Sequence, residues 1–377
     1  MTKHILVSAG EVSGDIHAAN LVKKLKELNP KLDFFGIGGE KMEQAGVELI
    51  ERMDKFSIVG IWEALIELGN IRKIYKKIIE EIGIKKPDMA ILIDYPGFNL
   101  MLAKELKKRG IKTIYYITPQ VWAWGGFRIH LLKKYIDKAI VILKFEEELF
   151  KKYGIDAVFV GHPLLDRKPE IRLNKKSLNL DEEKFTIALL PGSRQSEVRK
   201  LLPLMLKTAE FISRKKEVQF VLLKNSVVDD KIYDGELKKS NLRITKILDD
   251  SYGCLSISDF VFLASGTATL ESAIMEKPML ITYKTSFLTA ILFKFFAKTR
   301  RLGLVNIIAE REIVPEILQY DAKPKYLASG ILSIISSKEK MEKQVQDLRQ
   351  VKSVLGTAGA SLRAARIIES SIHHPSP

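Results

Sequence analysis

The chain has 377 residues, 46% of them hydrophobic and 28% charged, which describes a globular protein long enough for two domains. Its single cysteine excludes an internal disulfide framework, and no apolar run reaches the roughly 18 residues of a membrane-spanning helix. The net charge of +15 predicts an anionic partner, and composition alone does not choose among nucleic acid, an anionic membrane surface and a phosphorylated substrate.

The first half of the chain alternates apolar strands with amphipathic helices. Glycine, aspartate, proline or tryptophan residues follow several of these strands closely. Such an alternation predicts a doubly wound parallel sheet, in which ligands bind at the carboxyl ends of the strands. The predicted strands cover residues 5–8, 34–37, 90–93, 113–117, 139–143 and 157–160.

Two of these strand ends carry candidate functional residues. Gly10 and Gly14 follow the first strand and allow a ligand to approach the backbone, although their G-x-x-x-G spacing is not a dinucleotide-binding fingerprint. Asp94 ends the strand at 90–93, where a partly desolvated carboxylate is suited to act as a general base. An equally good interpretation is that Asp94 caps the next helix or makes a turn before Pro96.

Two histidines compete with Asp94 as candidate bases. His162 follows the strand at 157–160, and His17 lies on the helix after Asp15. A single histidine is more often structural than catalytic, and the position of His17 fits a structural role better.

The second half repeats the alternation after a polar and charged segment. We predict a first domain at residues 1–166, a linker at 167–184, a second domain at 185–345 and a helical tail at 346–377 that packs back on the body. The predicted strands of the second domain cover residues 185–190, 218–223, 243–248, 260–263 and 279–282.

Two loops of the second domain consist mainly of small residues and precede a helix. They are Gly192-Ser193-Arg194 and Ser265-Gly266-Thr267. Their N–H groups and one guanidinium suit a diphosphate, and Glu271, one turn into the following helix, suits a ribose diol. The alternative is two ordinary strand-to-helix turns with a surface arginine and a surface glutamate, although a cation at a helix start is unfavourable.

The sequence has no residue spacing typical of a metal site. The six histidines are scattered, and there is no C-x-x-C or D-x-D motif. If a nucleotide binds, we therefore expect the protein itself to neutralise its charge, with no metal and no cofactor.

Two segments combine apolar and basic residues. Residues 287–297 are apolar nearly all round and are flanked by lysine and arginine, which is typical of an interfacial helix on anionic lipid. The side chains expected to contact the membrane are Phe287, Leu288, Leu292, Phe293 and Phe296. Residues 61–68 show a similar pattern. For both segments the alternative is a core helix with solvated lysines. We favour this alternative for residues 61–68 and the membrane interpretation for residues 287–297.

Seven segments carry a resemblance to a known family. The chain resembles the lipid-A-disaccharide synthases, bacterial glycosyltransferases of the GT-B type, in the family's order and across most of its length. Val305 and Lys144 depart from the family's pattern, which has proline at both positions, and Val305 puts the backbone around Asn306 in doubt. The matching segments are SAGEVSGD (8–15), IDYPGFN (93–99), PQVWAWGGFR (119–128), GHPLLD (161–166), LLPGSRQSEV (189–198), ASGTATLE (264–271) and NIIAEREIVPEILQ (306–319).

The resemblance implies two Rossmann-like domains facing a cleft and an inverting transfer without metal. The donor would be UDP-2,3-diacylglucosamine, the acceptor 2,3-diacylglucosamine 1-phosphate, and the products a β-1,6-linked disaccharide 1-phosphate and UDP. Asp94 would be the base or would orient the acceptor, Arg194 would bind the diphosphate and Glu271 the ribose. The resemblance also implies that Asn306 lies in the donor site and that the acceptor side of the cleft contains Gly10, Glu11, Ser13, Gly14 and His162.

The resemblance also implies a location for the enzyme. Both substrates carry acyl chains, so we expect a cytoplasmic protein on the anionic surface of the inner membrane, and the sequence leaves a homodimer open. One alternative is a UDP-sugar hydrolase or epimerase on the same scaffold. The other is a nucleic-acid binder, prompted only by the charge, and no nucleic-acid-binding module is visible in the sequence. We therefore expect no nucleic-acid partner.

Overall fold

The fold is described from a computed structural model that covers residues 2–10, 12–52, 61–122, 126–167, 173–284 and 301–373. Among the predicted site residues, Glu11 and the predicted membrane-contacting residues 287–296 lie outside these ranges. The chain divides into two compact units, one formed by residues 1–167 and 355–377 and the other by residues 168–354.

The first unit is built on a seven-stranded parallel sheet with the order β3-β2-β1-β4-β5-β6-β7. Most of its strands are apolar on both faces, as a sheet covered by helices on both sides requires. The strands are β1 (Lys3–Ala9), β2 (Leu32–Gly38), β3 (Glu48–Arg52), β4 (Met89–Ile93), β5 (Lys112–Tyr116), β6 (Lys138–Val141) and β7 (Ala157–Phe159). The helices are α1 (Val12–Leu28), α2 (Glu40–Gln44), α3 (Ile61–Lys85), α4 (Pro96–Lys108), α5 (Arg128–Tyr135) and α6 (Lys144–Lys152).

The second unit repeats this plan with a six-stranded parallel sheet of order β10-β9-β8-β11-β12-β13. Its strands are β8 (Thr186–Leu190), β9 (Gln219–Lys224), β10 (Ile244–Leu248), β11 (Phe260–Ala264), β12 (Met279–Tyr283) and β13 (Glu316–Leu318). Its helices are α7 (Gln195–Ser213), α8 (Asp230–Leu237), α9 (Ser251–Ser256), α10 (Ala268–Ile274), α11 (Leu304–Ile308), α12 (Pro324–Ile335) and α13 (Lys338–Val354). The predicted doubly wound parallel sheets are therefore confirmed.

The last helix, α14 (Ala360–His373), belongs to the first unit and packs on α1. Its first turn is held by the Asp166 carboxylate, which accepts hydrogen bonds from the backbone N–H groups of Gly359 (2.6 Å), Ala360 (2.8 Å) and Ser361 (2.8 Å). These bonds satisfy N–H groups that a helix start leaves unpaired. The tail expected to begin at residue 346 is thus shared between two units, because α13 continues to Val354 within the second unit.

Both sheets change direction of winding at one point, and each such point lies beside predicted site residues. In the first sheet β1 and β4 are neighbours, with Ala9 opposite Ile93, so Gly10 and Asp94 leave the sheet side by side. In the second sheet β8 and β11 are neighbours, with Leu190 opposite Leu263. Ligands of doubly wound sheets bind at this switch point, where the loops from adjacent strands leave in opposite directions.

Candidate active site

The loop after β1 leaves no room for a side chain at Gly10. A Cβ atom at Gly10 would lie 2.2 Å from Cδ1 of the Tyr95 ring, so only glycine fits without moving that ring. Gly14 is buried, and a Cβ atom there would contact Ala9 at 3.6 Å. Ser13 is half-buried. The loop and the β4 end are therefore packed directly against each other.

Asp94 sits in a strained turn at the end of β4. Asp94 and Tyr95 have positive φ angles of 47° and 48°, in the left-handed region that residues other than glycine rarely adopt. Helix α4 takes Tyr95 as its N-cap, and the Tyr95 side chain makes no capping hydrogen bond. Asp94 is half-buried.

His17 and His162 are both buried and neutral. Burial, together with the nearby Arg167, lowers the pKa of His17 to about 4. Burial, and then the nearby His17, lowers the pKa of His162 to about 3. Nδ1 of His162 accepts a hydrogen bond of 3.2 Å from the N–H of Leu164 and caps the short 3₁₀ helix Pro163–Asp166. In this structure His162 therefore has a local structural role as a helix cap.

A buried carboxyl group contacts Trp122 in the segment that follows β5. Glu146, in the first turn of α6, is 2% exposed, and its Oε1 accepts a hydrogen bond of 2.9 Å from Nε1 of Trp122. Its Oε2 accepts from the N–H of Leu143 at 3.2 Å. Burial raises the pKa of Glu146 to about 7, against the effect of these bonds. Glu146 was not predicted as a site residue, because nothing in the local sequence distinguishes it from the glutamates beside it.

The Gly192-Ser193-Arg194 loop precedes α7 and is shaped by a carboxylate within that helix. Gly192 has φ = 112°, and a Cβ atom there would lie 2.4 Å from Oε2 of Glu197. That oxygen accepts long hydrogen bonds from the N–H groups of Ser193 (3.3 Å) and Arg194 (3.4 Å). The glutamate at the third helical position is a recognisable capping signal in the sequence. These N–H groups thus converge on one negatively charged oxygen, which is the geometry that a phosphate oxygen also requires.

A tyrosine at the end of β12 lies beside the same loop. Burial, and then the neighbouring Glu197 carboxylate, raises the pKa of Tyr283, while the charge of Arg194 lowers it. Arg194, which follows β8, is therefore near enough to act electrostatically on Tyr283, although β11 lies between β8 and β12. Tyr283 is a neighbour of the candidate diphosphate loop that the sequence analysis missed.

The Ser265-Gly266-Thr267 loop follows β11, with Gly266 and Thr267 exposed. Oγ of Ser265 donates a hydrogen bond of 3.0 Å to the carbonyl oxygen of Leu302. A Cβ atom at Gly266 would meet nothing within 4 Å, so this loop has open space in front of it. Glu271 is 8% exposed, and its Oε2 accepts a hydrogen bond of 2.7 Å from Oγ of Ser251.

Asn306 is fully buried, and its amide makes four hydrogen bonds within its own segment. Nδ2 donates to the carbonyl oxygen of Val314 (2.8 Å) and to Oε1 of Glu316 (2.7 Å). Oδ1 accepts from the N–H groups of Ile313 (2.8 Å) and Val314 (3.0 Å). Glu316 in turn accepts from the N–H groups of Leu302 and Gly303. Asn306 therefore holds the segment to which Ser265 is bonded, and Val305 is accommodated in α11.

The structure brings the predicted residues together in two groups, one in each unit. Gly10, Ser13, Gly14 and Asp94 surround the switch point of the first sheet, whereas the two small-residue loops flank that of the second. Within the described ranges, no cluster of three or more histidine, cysteine or acidic side chains is placed to hold a metal ion. No helix in the described part of the chain is both long and apolar enough to cross a membrane.

Comparison with known proteins finds a matching family and similar sequences. A family model described as lipid-A-disaccharide synthetase matches residues 5–368. The chain is 41% identical over 362 residues to lipid-A-disaccharide synthase 1 of Legionella pneumophila (strain Lens), covering 94% of each chain. It is also 41% identical over 378 residues to lipid-A-disaccharide synthase of Persephonella marina, covering 97% of this chain and 98% of that one.

Solved structures show the fold alone, because their sequences are far more distant. The calicheamicin glycosyltransferase CalG4 superposes with a TM-score of 0.63 at 13% identity, covering 100% of this chain and 99% of its own. UDP-GlcNAc 2-epimerase from Neisseria meningitidis, solved with UDP-GlcNAc bound, gives a TM-score of 0.64 at 12% identity, covering 99% and 100%. The chain thus has the GT-B fold, and the resemblance inferred from its motifs is confirmed. It belongs to the lipid-A-disaccharide synthetase family of glycosyltransferases.

Proposed function

We propose that this protein transfers 2,3-diacylglucosamine from UDP-2,3-diacylglucosamine to 2,3-diacylglucosamine 1-phosphate, with inversion at the sugar carbon. Membership of the family supports the reaction type. The observation that carries the assignment of residues is the position of the predicted groups at the two switch points. Asp94 follows β4 beside β1, and the two small-residue loops follow β8 and β11. In doubly wound sheets this is where ligands bind.

On the first unit, Asp94 serves as the base for the acceptor. Its carboxylate accepts the proton of the acceptor's 6-hydroxyl group while the hydroxyl oxygen forms a bond to C1 of the donor sugar. The bond between C1 and the diphosphate oxygen breaks, and its electron pair leaves with UDP. A general base in this place contributes roughly 10²–10⁴-fold to the rate.

On the second unit, the leaving diphosphate meets N–H groups and one guanidinium. The N–H groups of Ser193 and Arg194 already converge on a carboxylate oxygen of Glu197, and a phosphate oxygen of UDP takes the place of that oxygen or binds next to it. The Arg194 side chain neutralises the charge that develops when the C1–O bond breaks. Glu271, held by Ser251, accepts from the ribose. Asn306 acts on this site through Ser265 rather than by direct contact.

The test is turnover of Asp94→Asn with both substrates. We expect kcat to fall by about 10²-fold or more, because the amide cannot take the proton, while the affinity for UDP measured by calorimetry stays within about twofold. Asp88→Asn is the matched control, since Asp88 precedes the same strand at its other end and its carboxylate pairs with Lys3 there. Unchanged turnover in Asp94→Asn would remove Asp94 from the mechanism. Release of UDP that ignores the acceptor would instead favour a UDP-sugar hydrolase or epimerase.

We also propose that the enzyme works on an anionic membrane surface, because both substrates carry acyl chains. The net charge of +15 supports this, and so does helix α3, whose exposed Arg72, Lys73 and Lys76 lie in one short stretch. The apolar segment 287–297 is proposed as the anchor. Replacing Phe293 and Phe296 by serine should abolish sedimentation with vesicles that contain anionic lipid. Sedimentation equal to that of the unmodified protein would exclude this segment as the anchor.

A further inference from the structure

We propose that Ser8, Asn99 and Tyr115 form a positioning unit that sets the location of the Asp94 carboxylate, so that the rate of transfer depends on groups that never touch substrate. The inference rests on the proposed function of Asp94 as the base. It extends that function because it assigns the control of the base to three buried side chains from three different elements, β1, α4 and β5.

Two of these side chains meet at the carbonyl oxygen of Asp94 itself. That oxygen accepts a hydrogen bond of 2.8 Å from Nδ2 of Asn99 and one of 2.6 Å from the hydroxyl of Tyr115. Nδ2 of Asn99 also donates to the carbonyl oxygen of Ile93 at 3.1 Å. The third side chain fixes the amide, since Oγ of Ser8 donates to Oδ1 of Asn99 at 2.5 Å. The bonds from Asn99 and Tyr115 therefore restrain the peptide groups on both sides of Asp94, and the bond from Ser8 fixes the Asn99 amide that makes them.

The three side chains are completely shielded from water. Ser8, Asn99 and Tyr115 each have 0% of their surface exposed. A buried polar group that lacks a partner costs about 1–3 kcal/mol, so a network of this kind persists only when its members satisfy one another. Burial, and then the Asp94 charge, raises the pKa of Tyr115 well above its ordinary value. The hydroxyl consequently stays protonated and remains a donor to Asp94 at any pH at which the enzyme is assayed.

The restraint acts on a backbone that would otherwise relax. A non-glycine residue in the left-handed region costs about 1–3 kcal/mol, and Asp94 and Tyr95 both adopt it, with φ angles of 47° and 48°. On the neighbouring strand end Ile117 also has a positive φ of 58°, and its carbonyl oxygen accepts from the N–H of Asp94 at 3.2 Å. Strain of this kind is maintained only where surrounding contacts over-determine it. Here the contacts are those of the positioning unit.

The alternative is that the same bonds only stabilise the fold, and a pair of neighbouring tyrosines separates the two explanations. Tyr115 and Tyr116 are adjacent on β5, both 0% exposed, and pack in the cores on opposite faces of the sheet. Tyr115→Phe removes one donor to Asp94, and Tyr116→Phe removes a hydroxyl of equal burial from the other face. Tyr115 donates a hydrogen bond through its hydroxyl, whereas no hydrogen bond is found for the buried Tyr116 hydroxyl among the described residues. A purely structural role therefore predicts a lower melting temperature for Tyr115→Phe than for Tyr116→Phe, with no selective loss of turnover in either.

We expect Tyr115→Phe to lower kcat about tenfold or more, with KM for the donor within about twofold, since a small displacement of a reacting group costs up to roughly 10²-fold. Tyr116→Phe should keep kcat within about twofold. Ser8→Ala, which frees the Asn99 amide, should lower kcat by a smaller factor. Equal kcat in Tyr115→Phe and Tyr116→Phe would overturn the proposal.

The decisive measurement is the double variant. If Tyr115 acts through Asp94, Tyr115→Phe should have no further effect on the residual rate of Asp94→Asn, because interacting residues are not additive. A full additional tenfold loss in the double variant would refute the positioning role. If Asp94→Asn itself keeps its turnover, the proposed function fails at that point. If Asp94→Asn is inactive and Tyr115→Phe is normal, only the present inference fails.

Discussion

The buried carboxyl of Glu146 should make the first unit less stable as pH rises. Glu146 is 2% exposed and has Trp122 and Leu143 as hydrogen-bond donors, and no cation in the described part of the chain contributes to its pKa. The carboxylate form is therefore held in a poorly solvated place. The perturbation that tests this is Glu146→Gln, which keeps the shape and the acceptor for Trp122 and removes the ionisation.

The magnitude follows from the pKa. Burial raises the pKa of Glu146 from an ordinary value of 4.5 to about 7 in the folded state. Below pH 4.5 the Glu146 carboxyl group is protonated in both the folded and the unfolded protein, and the folded state has its full stability. Above that pH, the carboxyl group of the unfolded chain ionises first. Stability is thus lost as pH rises from the unfolded pKa through the folded one, and no further loss follows at higher pH. At about 1.4 kcal/mol per pH unit, the loss amounts to about 3 kcal/mol.

The assay is urea unfolding followed by tryptophan fluorescence between pH 5 and 9. All three tryptophans, Trp62, Trp122 and Trp124, fall within residues 1–167, so the signal reports the first unit. The difference in unfolding free energy between Glu146→Gln and the unmodified protein should shift in favour of the variant by about 2–3 kcal/mol across this range. The buried histidines have lowered pKa values and stabilise the folded state as pH rises. This effect is the same in the variant and in the unmodified protein, so it cancels in the difference between them. A flat difference would refute the reasoning, and Glu148→Gln, on the exposed face of α6, is the matched control.

Three further predictions concern residues that hold loops and helix ends in place. Asp166→Ala should lower the unfolding free energy of the first unit by about 1–2 kcal/mol at pH 7, because the hydrogen bonds to the last helix are lost. Burial raises the pKa of Asp166, but these hydrogen bonds outweigh it and lower the pKa overall, so the loss should be smaller at a pH low enough to protonate the carboxyl group. Urea titrations at pH 7 and at such a low pH would show the difference. Asn306→Leu removes four buried hydrogen bonds and should weaken UDP binding by about tenfold in calorimetry, whereas unchanged affinity would exclude an influence on the donor site. Gly10→Ala, whose Cβ would lie 2.2 Å from the Tyr95 ring, should reduce kcat by about tenfold or more in steady-state assays, whereas Gly97→Ala meets nothing within 4 Å and should leave kcat unchanged.

The strands, the turns and the number of sheets could be predicted because their signals are local. Each buried strand is an apolar run, and each glycine turn lies directly after such a run, so a short window of sequence contains the whole pattern. Strands β3 (ELIER) and β13 (EIL) escaped prediction for the same reason. Both are short, charged and only half-buried, and they become strands because a neighbouring strand pairs with them. The family motifs likewise identified the switch-point loops directly.

The partners of the site residues were decided only by the tertiary structure. Ser8 and Asn99 are 91 residues apart, and they meet because β1 and β4 are neighbours in the sheet. Glu146 reaches Trp122, in the turn after β5, from helix α6, and Asn306 turns inward because β13 brings Glu316 to it. No sequence window contains these pairs, since burial and hydrogen bonding depend on which strands lie side by side. Sequence alone therefore determined which loops are predicted to carry the chemistry, and the folded sheet determined which buried groups hold them in place.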